Sequence, residues 1–112
     1  TLGLLQGTLD LVVLRALAGG PLHGYAVARW VRHTTDGTLS VEDGALYTAL
    51  HRLEKRGWIT SEWGATEQNR RARFYELTSA GRRQLAEETR TWTQYAEAMV
   101  KVLKSPEAEG AA

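Results

Sequence analysis

Between Gly44 and Leu77 the chain switches from a helical repeat to paired strands, and that switch constrains everything around it. GALYTALHRLEKRG repeats its apolar residues at helical spacing. WITSEW and RRARFYEL, rich in aromatic and extended-chain residues, flank the turn-like GATEQN. A helix that hides one face and shows another fits the major groove of duplex DNA. A hairpin with Arg70, Arg71 and Arg73 beside its tip can reach the backbone or the minor groove next to it. The pairing points to a sequence-specific DNA reader.

The flanking segments supply the rest of a small domain. Thr8 to Ala18 reads TLDLVVLRALA, an almost wholly apolar helix with Thr8 at its N-cap, stopped by Gly19-Gly20-Pro21. A second helix runs from about His23 to His33, with Val27, Trp30 and Val31 at three-and-four spacing, and ends toward Gly37. Ser40-Val41-Glu42-Asp43 fits a capping pattern, so the third helix is expected to start at Ser40 and to end at Gly57. Residues 58–63 and 71–77 are expected strands of a hairpin with a longish loop. Thr78-Ser79 caps a last helix from Ala80 to Lys104, with Gly81 in its first turn. The expected fold is mainly α (α+β), a winged helix-turn-helix over residues 1–78. Residues 79–104 follow as a long C-terminal dimerisation helix, and 105–112 as a disordered tail.

Composition narrows the classes. A chain of 112 residues closes one modest core, and no apolar run approaches the roughly 18 residues of a membrane span. No signal peptide is visible, and the absence of cysteine excludes disulfides and thiolate metal sites, so a cytoplasmic location is expected. A net charge of +1 is weak for a DNA binder, and residues 40–78 hold six basic and six acidic side chains. Placement matters more. Arg70, Arg71 and Arg73 cluster, whereas Glu67 and Glu76 sit to either side, which predicts a local positive patch on a nearly neutral body.

On the third helix Leu46, Ala49, Leu50 and Leu53 form the inward stripe. Gly44, Thr48, His51 and Lys55 fall opposite, flanked by Arg52 and Tyr47. Thr48 suits a hydrogen bond or a thymine methyl, His51 donates or accepts, and Arg52 or Lys55 suits guanine or phosphate. Gly44 permits close approach near the helix N-terminus, where backbone N–H groups attract phosphate. The plain alternative is a solvated helix face, and for Arg70 and Arg71 an internal ion pair with Glu67. The neighbouring helix and hairpin favour DNA contact.

These residues resemble the PadR family of bacterial transcriptional regulators, in its short form with one C-terminal helix. The resemblance runs from Leu5 to about Leu103. It is carried by LLQGTLDLVVLRALA, PLHGYAVA, GALYTALHRLEKRGWI and EWG…NRRARFYELTSAGRRQL in that order and spacing. It implies a dimeric winged-helix repressor, with helix 3 in the major groove and the wing toward the minor groove. It also implies phenols at Tyr47 and Tyr25 placed to bond phosphate, a core-lining role being the alternative for either ring. Many relatives carry Ser or Thr where this chain has Ala45, and Pro where it has Thr48, so no relative's operator transfers to it.

On the last helix Leu85, Thr89, Trp92, Ala96, Met99 and Leu103 recur at spacings of four and three, an a/d seam over nearly three heptads. About 26 helical residues span roughly 39 Å, longer than so small a body needs, so the seam predicts a partner. The simplest is a second copy, which would set two recognition helices about 34–36 Å apart on a palindrome. Trp92 reads as an interface anchor or as a stacking surface for a flat aromatic effector. PadR relatives that respond to phenolic acids or aromatic drugs support the second. By that resemblance, an effector would shift the angle between the two wings.

Catalysis finds no support: there is no nucleophile with a recognisable base, no glycine-rich phosphate loop and no HExxH. His23, His33 and His51 lack metal-site spacing and read as helix-start or packing, helix-end and groove-facing residues respectively; no cofactor is expected. The rival reading is a winged-helix adaptor that binds protein rather than DNA.

Overall fold

A computed structural model describes residues 2–4 and 7–108. Leu5, where the family resemblance begins, and tail residues 109–112 lie outside them. The elements run β1 (Leu2–Gly3), α1 (Leu9–Ala16) with a 3-10 turn over Leu17–Gly19, β2 (Leu22–His23), α2 (Gly24–Thr34) and β3 (Leu39–Ser40). They continue with α3 (Asp43–Lys55), β4 (Ile59–Ala65), β5 (Arg71–Leu77) and α4 (Ser79–Lys104). This is the expected winged helix-turn-helix with a long C-terminal helix. No helix among the described residues is long and apolar enough to cross a membrane.

The core lies where α1, α2 and α3 meet the base of the hairpin. Val13 and Leu14 from α1, Leu17 from the 3-10 turn, Val27 from α2, and Leu46, Leu50 and Leu53 from α3 close on Ile59, and all are buried. Leu85 is buried there too, so the first residue of the expected dimer seam belongs to its own protomer's core. Less than two turns into α4, Leu85 is still in reach of that core, and the seam surfaces only beyond it.

The start of α3 and the number of strands on the hairpin differ from expectation. Helix α3 begins at Asp43 with Glu42 as its cap residue, because Leu39 and Ser40 are already paired in parallel with Leu2 and Gly3. Extended backbone committed to a ladder cannot also start a helix, which overrides the capping pattern at Ser40. The hairpin also gains a third strand, since Leu22 and His23 pair antiparallel with Tyr75 and Phe74. Two residues are too few to show alternation in a sequence.

The hairpin turn is shorter than expected. Strand pairing continues to Ala65↔Arg71, the Asn69 N–H donates to the Thr66 carbonyl, and Asn69 takes a left-handed φ of 60°. This is the type I turn plus left-handed residue of a three-residue hairpin loop, and Asn tolerates that conformation.

The end of α3 carries the wing. Gly57, at φ 77°, donates its N–H to the Glu54 carbonyl, and Trp58 donates to that of Leu53. These are the two bonds of a Schellman motif, in which glycine meets no Cβ penalty. Thr78 then closes the base: its N–H donates to the Trp58 carbonyl, its hydroxyl donates to the Gly57 carbonyl, and the same oxygen accepts from the Gly81 N–H. A Cβ on Gly81 would lie 1.9 Å from the Trp58 carbonyl oxygen. That neighbour is backbone and cannot swing away. Gly81→Ala is therefore expected to lower stability by roughly 3 kcal/mol. Gly19→Ala, which meets nothing within 4 Å, should be near neutral. Urea denaturation of both variants checks the contrast.

Candidate nucleic-acid interface

Burying the leucine stripe of α3 turns Gly44, Tyr47, Thr48, His51 and Lys55 outward, all exposed. Arg52 behaves differently. Its guanidinium turns back to Asp10 at the start of α1, Nε donating to Oδ2 at 3.3 Å and Nη2 to Oδ1. Arg56 approaches the same carboxylate at 4.0 Å. The hydrogen bond to Asp10 holds the Arg52 pKa above its ordinary value, against the lowering effect of burial. In this conformation Arg52 belongs to the α1–α3 contact and leaves the set of groove-facing residues. Its partner lies 42 positions away, so spacing within the helix gave no sign of it.

A cleft of about 530 Å³ separates α3 from the wing, lined by Tyr47, His51, Glu54, Lys55, Arg73 and Tyr75. Tyr75 forms its buried wall, and burial pushes that phenol above its usual pKa against the lowering effect of the Arg73 charge. Arg73 is tied to the helix: its Nε donates to Ser61 Oγ at 2.8 Å, Ser61 donates to Glu54 Oε2 at 2.6 Å, and Arg73 lies 3.8 Å from the same carboxylate. Glu54 and Ser61, which sequence reasoning did not single out, thus brace the wing against α3. Tyr47 leans over α2, where a Cβ on Gly24 would lie 2.6 Å from its hydroxyl oxygen. Glycine after His23 is what lets the phenol sit there. Tyr25 is exposed, with the Arg29 guanidinium 5.6 Å from its ring centroid, and neither tyrosine lines the core. His23 caps α2, its Nδ1 accepting from the Ala26 N–H.

On the wing, Arg70 and Arg71 are exposed, and among the described residues neither forms an ion pair with Glu67. Arg71 instead lies over the Trp63 ring, 4.5 Å from its centroid. Tyr25, Gly44, Tyr47, Thr48, His51, Lys55, Arg70, Arg71 and Arg73 therefore remain candidates, while Arg52 does not.

Along α4, Thr89, Trp92, Met99 and Leu103 are exposed and Ala96 is partly so. Tyr95, Val100 and Val102 extend this apolar surface beyond the expected seam. Trp92 and Tyr95 have ring centroids 5.6 Å apart and face a cleft of about 450 Å³ against the start of α1. Glu87 and Glu88 line it as well, acidic groups that the a/d register left out. No cluster among the described residues could hold a metal ion.

Residues 13–87 match the profile of the transcriptional regulator PadR-like family. The chain belongs to that family. The match runs from within α1 through the wing to the first turns of α4 and stops short of Trp92. A transcriptional regulator from Clostridium thermocellum has the same fold at a TM-score of 0.79 and 29% identity, covering 88% of this chain and 93% of its own. A PadR family regulator from Eggerthella lenta aligns at 0.72 and 30% identity, covering 90% and 86%. Bacillus subtilis PadR, solved with operator DNA, shares the fold at a TM-score of 0.64 and 20% identity. That alignment covers 94% of this chain, which spans 51% of the Bacillus protein. PadR-like proteins are transcriptional regulators, a class that is generally not enzymatic.

The Gly24–Tyr47 contact has a measurable consequence. Gly24→Ala should displace the Tyr47 side chain while changing stability little, because a phenol end can swing aside. Affinity for duplex DNA is expected to fall to about that of Tyr47→Phe, measured by fluorescence anisotropy alongside a thermal melt.

Proposed function

We propose that this PadR-like protein is a cytoplasmic, sequence-specific DNA-binding repressor that acts as a homodimer on a palindromic operator and answers to a flat aromatic effector. The observation that carries the DNA-binding part is the shared cleft. The outward face of α3 and the basic strand β5 flank one opening, so a helix in the major groove brings Arg70 and Arg71 toward the flanking backbone. That the structurally similar Bacillus protein was solved with operator DNA supports a DNA partner for this chain.

The dimer reading rests on the outer half of α4, where Trp92, Tyr95, Met99, Val100, Val102 and Leu103 leave an apolar surface on a molecule 64 Å long. A second copy of the helix would cover it and set two α3 helices on successive major grooves. The effector reading rests on Trp92 and Tyr95 beside the α1–α4 cleft. A flat ring that preferred one dimer geometry would shift the separation of the wings.

Selection from a randomised duplex pool at near-physiological salt tests the central claim. An enriched palindrome with half-sites about one helical turn apart is the expected result, and binding without an enriched motif would leave only electrostatic affinity. Arg70→Ala/Arg71→Ala should weaken binding broadly and flatten its salt dependence, whereas a protein adaptor would show neither effect. Met99→Glu should convert the dimer to monomer in sedimentation equilibrium. A wild-type protein that sediments as a monomer would remove the dimer reading. Titrating the operator complex with phenolic acids and planar aromatic cations tests the effector, and unchanged affinity throughout would remove it.

A further inference from the structure

Trp63 sits on the wing without a place in the core, 55% exposed. Across the hairpin it pairs with Arg73, while Ala65 pairs with Arg71. Side chains two apart on a strand share a face, so Trp63, Arg71 and Arg73 project together. The Arg71 guanidinium carbon lies 4.5 Å from the ring centroid and that of Arg73 5.5 Å.

Arg52, Arg73 and Arg71 are held by different chemistry. Arg52 meets a carboxylate that cancels its charge. Arg73 donates Nε to Ser61 and lies near Glu54. The Arg71 side chain has, among the described residues, no hydrogen bond or ion pair; its defined neighbour is the indole. A cation–π contact restrains a guanidinium through the ring quadrupole and leaves its charge uncancelled. Arginine carries large rotamer freedom, and a ring that restricts it before binding lowers the ordering cost of reaching a phosphate.

We propose that Trp63 is a positioning residue for nucleic-acid binding: it holds Arg71 pre-ordered as a fork for a backbone phosphodiester, with Arg73 anchoring the same ring toward α3. The inference rests on the DNA-binding reading above. Through Glu54, Ser61, Arg73 and Trp63 it links the recognition helix to the Arg71 fork by consecutive contacts. Neither the family match nor the sequence motifs assign a role to this tryptophan.

The test uses the full chain and a fluorescein-labelled duplex of randomised sequence, about 30 base pairs long, because phosphate contacts act on any sequence. Trp63→Ala is expected to weaken binding roughly three- to tenfold, Trp63→Phe less, and Arg71→Ala about as much as Trp63→Ala. The double variant should bind no worse than Arg71→Ala alone, the signature of one residue acting through another. In the free protein, the Arg71 Nε–H resonance should carry a ring-current shift that Trp63→Ala abolishes and Trp63→Phe retains in part. That spectrum, with Trp63→Phe binding, decides the matter if the alanine variant folds poorly. Additive losses would overturn the proposal in favour of an independent Trp63–DNA contact, and unchanged binding by Trp63→Ala would overturn it outright. In both cases the DNA-binding reading would stand. Wild-type protein that binds no duplex at any salt would remove that reading, and the proposal with it.

Discussion

At the junction of α3, β4 and α4, three chain segments share one small set of hydrogen bonds made by backbone groups and the Thr78 hydroxyl. Gly57 turns the chain out of α3 in a left-handed conformation, the Trp58 carbonyl accepts from Thr78, and Thr78 caps α4 while reaching back to Gly57. Gly81 keeps that approach possible because there is no room for a Cβ. Helix α3, the wing and the C-terminal helix therefore leave a common point with fixed directions. A change in the direction of α4 must reach α3 and the wing through this point, or through the α1–α4 contact.

Charge is distributed along the same lines. A protein with a net charge of +1 has little general attraction for a polyanion, so the state of each arginine matters more than their number. Arg52 is committed to Asp10, Arg73 is shared between the helix and the wing, and Arg71 keeps its full charge over an aromatic ring. The ion pairs are partly exposed, so each contributes little to stability, and their larger effect is on geometry. Asp10 joins α1 to α3, and Glu54 joins α3 to the wing. Helix α1 also walls the cleft beside Trp92, which places the proposed effector site one helix away from the Asp10–Arg52 pair.

Much of this was legible in the sequence, and the reason is local. The leucine stripe of α3, the glycine after it, the aromatic strands and the Thr78 cap are each specified by residues within a few positions of one another, so period and capping rules reach them. Predicted boundaries failed where a distant segment competed. Ser40 carries a good capping pattern, yet the ladder with Leu2 and Gly3 takes its backbone and moves the helix start to Asp43. The strand at Leu22–His23 exists only because Tyr75 and Phe74 arrive beside it.

The sequence by itself determined the order of the four helices and the hairpin, the inward face of α3, the basic wing and an apolar surplus on α4, since each follows from spacing along one segment. Tertiary structure alone decided which polar residues remain available. Asp10 withdraws Arg52 from across 42 positions, Leu85 sinks into its own core, and Trp63 meets Arg71 only when the hairpin register closes. A side chain's periodicity states which way it points, but its electrostatic partner is set by whatever the fold brings to that side, and no local pattern encodes it.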